Sequence, residues 1–288
     1  MKIKTITSYL ESIAPLSLQE EYDNSGLIIG NEEAEVTNAL ICIDCTEDVV
    51  DEALRQKCNL IIAHHPIVFR GLKKITGKNY VERVVLKAIQ NNISIYAIHT
   101  NLDNVAQGVN KRICEKLGLS NCKILLPKTS PFTPSRGGQT AGSGMIGTLS
   151  KPMTEIAFLN KVKRVMKAES VRYTKLQGKK VSKVAVCGGS GSFLLEAAIA
   201  AKADVFVTAD FKYHQFFDAD NQIVIADIGH YESEQFTAEL IRDLLKQKFP
   251  IFASPNDQGQ KFKRNTSDKT VGRAPRLSKV KTNPVNYL

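Results

Sequence analysis

An α/β fold of mostly parallel strands, organised in two halves, is what the sequence predicts, and three observations carry the prediction. Short apolar runs without charge recur, among them Leu60-Ile61-Ile62-Ala63, Ile93 to Ile98, Val205-Phe206-Val207 and Ile223 to Ala226. Such runs read as strands buried on both faces of a parallel sheet. Segments with helical spacing of apolar residues alternate with them, which implies parallel strands joined by right-handed crossovers. Residues 127–144, rich in Pro, Ser, Thr and Gly, interrupt the alternation and read as a linker.

Taken in order, Thr5 to Ala14 is an amphipathic helix, with Ile6, Leu10 and Ile13 on one face and Pro15 after it. Tyr22 to Gly26 is a polar turn before Leu27-Ile28-Ile29. Ala39 to Asp44 is a strand. Thr46 to Gln56 is a helix opened by a threonine in the capping position, although the position three residues on is Val49 rather than Glu or Gln. After the strand that ends at His64 come a helix over Tyr80–Asn91, a strand over Ile93–Ile98, and a helix over Ala106–Leu117 stopped by Gly118. Beyond the linker, Met145–Leu149 is a strand, Glu155–Met166 a helix, and Val181–Cys187 a strand leading into Gly188-Gly189-Ser190-Gly191-Ser192 and a helix through Ala203. A strand from Asp204, a helix near Phe211–Ala219, a strand ending at His230 and a long helix over Glu232–Lys248 follow. From residue 254 on the chain is polar, basic and aperiodic, the pattern of a mostly flexible tail that the fold does not need; its last residues, Asn283 to Leu288, are less polar and suited to docking.

A chain of 288 residues can bury a substantial core. No run of eighteen apolar residues occurs, so no membrane span is expected, and the first residues lack the apolar segment of a signal peptide. A cytoplasmic location is the resulting expectation. The net charge of +10 is uneven: residues 254–288 hold eight Lys/Arg against two Asp/Glu, leaving +4 for the rest. Any nucleic-acid contact is thereby reduced to a weak one through the tail. Cys42 and Cys45 have C-x-x-C spacing but fall within and just after a strand, which reads as structural, and the six cysteines are expected to be reduced thiols.

The chemistry gathers at the ends of the strands. All five histidines, His64, His65, His99, His214 and His230, follow apolar runs closely, which suggests one rim of one sheet and hence one site. His64 and His65 cannot both reach one ion from a straight strand, because successive side chains point to opposite faces. Either Pro66 turns the chain or the two rings serve two neighbouring ions; the plainer alternative is one packed and one solvated histidine. His230 and Glu234 share a helical face, the plainer alternative being a solvated helix start. Asp103, four residues after His99, either bridges cations or caps a helix. His64, His65, Asp103, His230 and Glu234 form a donor set without thiolate, suited to Zn, Fe, Mn or Ni. The glycine-rich turn at 188–192 suits either an anion or a tight strand-to-helix connection. Asp44 and Asp210 also end strands on the expected rim.

Six stretches together resemble the Nif-three-like family, many of whose members carry the label GTP cyclohydrolase 1 type 2. They are Tyr22–Leu27, Ile62–Pro66, His99–Asp103, Cys187–Gly191, Thr208-Ala209-Asp210 with His214, and Gly229–Glu234. The resemblance runs from about residue 1 to 253. It implies two similar α/β lobes, 1–126 and 145–253, around a dinuclear metal site, with 127–144 in place of the domain that many bacterial relatives insert. It also implies a homo-oligomer, often a hexameric ring. The implied metal ligands are His64, His65, Asp103, His230 and Glu234, with His99 and His214 nearby; Glu234, His99 and His214 are the catalytic candidates. The implied cofactors are two divalent transition-metal ions. The expected function is a metal-dependent hydrolase acting on a nucleotide, with opening of the guanine ring of GTP at C8 as the named reaction. The alternatives are a phosphoesterase on another nucleotide and a non-enzymatic metal-binding or interaction protein.

Overall fold

The computed structural model describes residues 1–128, 141–249 and 275–288. Most of the expected linker, residues 129–140, and residues 254–274 of the expected tail lie outside them. In chain order the elements are α1 (Ile3–Ile13), β1 (Gly26–Ile29), β2 (Ala39–Cys42), α2 (Glu47–Arg55), β3 (Leu60–Ala63), α3 (Tyr80–Gln90), β4 (Ser94–Ala97), α4 (Thr100–Asp103), α5 (Val109–Leu117), β5 (Leu119–Pro127), β6 (Gly142–Thr154) and α6 (Glu155–Val165). They continue with β7 (Arg172–Tyr173), β8 (Lys180–Ser190), α7 (Leu195–Ala200), β9 (Val205–Ala209), β10 (Val224–Asp227), α8 (His230–Glu234), α9 (Thr237–Lys248) and β11 (Arg276–Leu277).

These elements form two compact units, Met1–Asn101 with Thr237–Thr282, and Leu102–Phe236 with Asn283–Leu288. The chain therefore changes unit three times, within α4, before α9 and between Thr282 and Asn283. The expected boundary at 127–144 is not where it crosses, because β5 and β6, which flank that stretch, pair antiparallel with each other. The expected single helix over Glu232–Lys248 is broken between α8 and α9.

The first unit carries a five-stranded sheet in the order β1-β4-β3-β2-β11. Its centre is parallel, with β2, β3 and β4 in register, and β1 runs antiparallel on the edge. All four residues of β2, β3 and β4 are buried, which explains why those strands read as continuous apolar runs. One face packs Leu40, Ile61 and Ile95 against Val49, Val50 and Ala53 of α2 and Val84 and Ala88 of α3. Helix α2 begins where the threonine signal placed it: the Thr46 side chain accepts from the backbone N–H of Val49. Gly118 ends α5 with φ +67°, a left-handed conformation that favours glycine.

The second unit carries a six-stranded sheet, β5-β6-β8-β9-β10-β7. Its centre, β8-β9-β10, is parallel, and its flanks are antiparallel. Ala185, Cys187, Phe206, Phe211 and Ile225 form the middle of its core with Leu194, Leu195 and Ala198.

The described end of the chain corrects the expectation of a dispensable flexible tail. Arg276 and Leu277 extend the first sheet as β11, parallel to β2. The buried Glu52 accepts from the Ser278 hydroxyl at 2.6 Å and from the backbone N–H of Lys279 at 3.1 Å. In the second unit Asn283 donates to Glu232 at 2.9 Å. A two-residue strand with basic neighbours has no periodicity, so the pairing of β11 and the contacts to Glu52 were invisible in the sequence, whereas the lower polarity of Asn283 to Leu288 had marked that end as suited to docking. No helix among the described residues is long and apolar enough to cross a membrane.

Candidate functional site

Strands β3 and β4 lie side by side in parallel register, so the residues just beyond their carboxyl ends are neighbours. His64 and His65 follow β3, and His99 follows β4 after Ile98. The backbone bends at once, with the N–H groups of both His64 and His65 donating to Ile43 O. That bend resolves the geometric objection raised by strand alternation. The ring centroids of His64, His65 and His99 stand 4.9, 5.3 and 5.2 Å apart, and one ring nitrogen of each lies within 4.8 Å of the others.

Each of these rings is held from behind. Nδ1 of His64 faces Ile98 O at 2.8 Å, Nδ1 of His65 faces Asp44 Oδ1 at 2.7 Å, and Nδ1 of His99 faces Asp23 Oδ1 at 2.7 Å. An oxygen at Nδ1 fixes the tautomer in which Nε2 carries the lone pair, which is how ligand histidines are oriented. Asp23 is itself anchored by the backbone N–H groups of Asn24 and Thr100. Burial opposes its charge, but His99, Thr100 and Asn24 together hold its carboxyl well below the usual range. For Asp44 burial is again outweighed, here by His65 and Thr282, and the carboxyl is lowered.

The second unit supplies a different set. α8 presents His230 and Glu234 one turn apart, with Nε2 of His230 3.1 Å from Glu234 Oε2. Nδ1 of His230 faces Asp210 Oδ2 at 2.6 Å. An oxygen of Asp103, at the end of α4, lies within 4.8 Å of one of Glu234. Both carboxylates are close enough to Cys187 that, after burial, their charges push its thiol further up.

In the glycine turn after Cys187, two of the backbone N–H groups that could face an anion are committed elsewhere. The Gly188 N–H donates to Asn110 and the Gly189 N–H to Ser233, so both are spent inside the protein. Gly189 has φ +62°, and a Cβ there would stand 2.5 Å from Glu234 Oε1. The glycine lets the strand pass close behind the Glu234 carboxylate.

The histidines do not share one sheet rim: His64, His65 and His99 follow strands of the first sheet, His214 and His230 strands of the second. His214 is exposed, its ring beside those of Tyr213 and Phe217, and no candidate metal cluster among the described residues includes it. Conversely, His99 belongs to the triad rather than beside it. Asp23, which orients His99, belongs to the polar turn and to the family stretch Tyr22–Leu27 but was not among the expected site residues; its adjacency to an apolar strand start was the available signal. Cys42 and Cys45 are buried, and burial followed by the Asp44 charge pushes the Cys45 thiol up to about 12, so neither is poised as a nucleophile.

A cavity of about 460 Å³ opens beside His65, lined by Asp44, Thr46, Phe69, Arg70 and Tyr80 among others. That volume falls within the range of small-molecule sites, roughly 300–1,000 Å³.

The profile of the Duf34/NIF3 (NGG1p interacting factor 3) family matches residues 1–257. The chain belongs to the DUF34/NIF3 family. A Clostridium acetobutylicum protein named GTP cyclohydrolase 1 type 2 homolog is 37% identical over 235 residues, 81% of this chain and 85% of the relative. A homolog of the same name from Clostridium perfringens is 36% identical over 235 residues, 81% of this chain and 87% of the relative. The crystal structure of a Bacillus cereus protein related to NIF3 superposes with a TM-score of 0.86 at 27% identity, covering 100% of this chain and 99% of that one. The two-sheet α/β architecture is thus that of the DUF34/NIF3 family.

The His230 environment leads to a pH prediction for this family member. Burial of the ring opposes its protonation, but Glu234 and Asp210 outweigh burial and push its pKa up to about 11. Because that pKa is raised on folding, its stabilising contribution is complete below the unfolded value of about 6.5 and is lost as pH climbs toward about 11. A cation loaded onto His230 must expel that proton. Metal affinity of this donor set is therefore expected to rise about tenfold per pH unit between about pH 6 and 8. Competition against a chromophoric chelator, corrected for the chelator's own protons, measures it; a flat profile would show that His230 is not a ligand.

Proposed function

We propose that the protein is a dinuclear metal-dependent hydrolase acting on a nucleotide, with GTP ring opening as its leading reaction. The observation that carries the reading is the histidine triad, in which every Nδ1 is committed to an oxygen. Packing alone gives no reason for three adjacent rings to share that arrangement, whereas metal ligation does. The donor sets fit the proposed ions: imidazole and carboxylate without thiolate suits Zn, Fe, Mn or Ni. His64, His65, Asp103, His230 and Glu234 are the proposed ligands, and His99 adds a sixth candidate. A bound divalent ion supplies Lewis acidity and brings water into nucleophilic form near neutral pH.

The chain's own groups do the rest. Asp44 and Asp23 hold the rings of His65 and His99, and Asp210 holds that of His230. Glu234, buried and backed by Gly189, keeps its carboxylate oriented. In the cavity beside His65, Phe69 and Tyr80 offer aromatic faces for a planar base and Arg70 a cation for a phosphate. The relatives' name, GTP cyclohydrolase 1 type 2 homolog, supports the choice of GTP as first substrate.

The test is steady-state turnover of GTP by purified, metal-loaded protein, with Glu234→Ala beside it. The expected result is ring-opened product from the wild type and loss of turnover without loss of folding in the variant. Release of phosphate with the ring intact would assign a phosphoesterase instead. Tight metal binding with no turnover of any nucleotide would leave a non-catalytic metal-binding role.

A further inference from the structure

The segment that follows β11 has a path fixed by several independent contacts. Ser278 donates its backbone N–H to Ile41 O at 2.8 Å, Ser278 and Lys279 engage Glu52, and Val280 packs on the core of the first unit. This path delivers Thr282 to Asp44. The Thr282 hydroxyl donates to Asp44 Oδ2 at 2.6 Å, while the other oxygen, Oδ1, faces Nδ1 of His65 at 2.7 Å. A carboxylate held at only one oxygen can swing about its Cβ–Cγ bond, and that torsion is broad. Held at both oxygens, it stays in one plane.

We propose that Thr282 is a positioning residue: it locks the Asp44 carboxylate, and through Asp44 it sets the orientation and tautomer of His65. The C-terminal strap is thereby a working part of the His64–His65–His99 cluster. Residues 238 apart in sequence are brought together to do this, so the strap couples completion of the fold to completion of the donor set. The consequence for metal affinity rests on the metal-binding reading given above; the positioning itself does not.

The variants are Thr282→Val, which keeps the shape and removes the hydroxyl, and Thr282→Ser, which keeps the hydroxyl. Thr282→Ala serves as a second variant without the hydroxyl should the valine fail to fold. The first readout needs no metal: solvent exchange of the His65 Nδ1–H proton, followed by NMR in metal-stripped full-length protein. Exchange is expected to be several-fold faster in Thr282→Val and Thr282→Ala and restored in Thr282→Ser. The second readout is Zn²⁺ affinity of the same samples by chelator competition. Loss of a direct outer-sphere partner weakens metal binding about 10- to 100-fold, and Thr282 stands one bond further out, so a weakening of about 3- to 10-fold is expected. Unchanged exchange in both hydroxyl-free variants overturns the proposal. Wild type that takes up no Zn²⁺ overturns the metal reading instead, and the exchange measurement still decides the role of Thr282.

Discussion

His65→Ala, and separately Asp103→Ala, are expected to lower metal affinity by more than about 100-fold while leaving the metal-stripped chain folded. The magnitude follows from the position of the residues: removing an outer-sphere partner alone costs about 10- to 100-fold, and these side chains are proposed ligands. The retention of fold follows from where they sit. His65 lies beyond the carboxyl end of β3 and Asp103 at the end of α4, so neither contributes to the apolar clusters that hold the sheets. Metal content after chelator-free purification gives the first quantity, and urea unfolding of stripped samples gives the second. The comparison must be made with stripped wild type, because a ligand present at 100 times its Kd stabilises the native state by about 2.7 kcal/mol. A His65→Ala protein that keeps its full metal content would return His65 to the role of an oriented but non-ligating histidine.

What the sequence revealed and what it hid divide along the range of the interactions. Leu60 to Ala63 was legible as a buried strand because four uncharged apolar residues bounded by polar ones leave no other economical burial. Thr46 was legible as a cap and Gly118 as a stop, since each acts on backbone groups within a few residues of itself. The pairing of β5 with β6, the division of the histidines between two sheets, and the return of the chain to the first unit through α9 and β11 depend on distant partners and have no local period. The donor set shows the same division. His64, His65, His230 and Glu234 stood out through residue type at strand ends. Asp23, whose carboxylate meets a histidine 76 residues away, did not. His214 misled because it follows a strand as the others do, yet the short 3-10 helix Tyr213–Ala219 carries it to an exposed aromatic patch.

Ile62→Ala separates scaffold from site from the other side. Ile62 is fully buried in β3, in register with Ile41 on one neighbouring strand and Tyr96 on the other. Its face of the sheet is opposite to that of Ile61, which packs on α2 and α3. Tyr96 on this face is likewise fully buried, and its hydroxyl reaches Glu11 of α1 at 3.5 Å. Neighbours held by two strands and a helix cannot close over a lost side chain, so a cavity remains and the cost is expected to be about 2–5 kcal/mol, measured on stripped protein. Metal affinity should change little, because the His64 N–H stays bound to Cys42 O and its ring to Ile98 O, neither of which involves the Ile62 side chain. A cost under about 1 kcal/mol would mean that this face of the first sheet is less tightly packed than its burial implies. A loss of metal as large as that of His65→Ala would mean that the donor triad depends on strand packing and not on the oxygens behind each Nδ1.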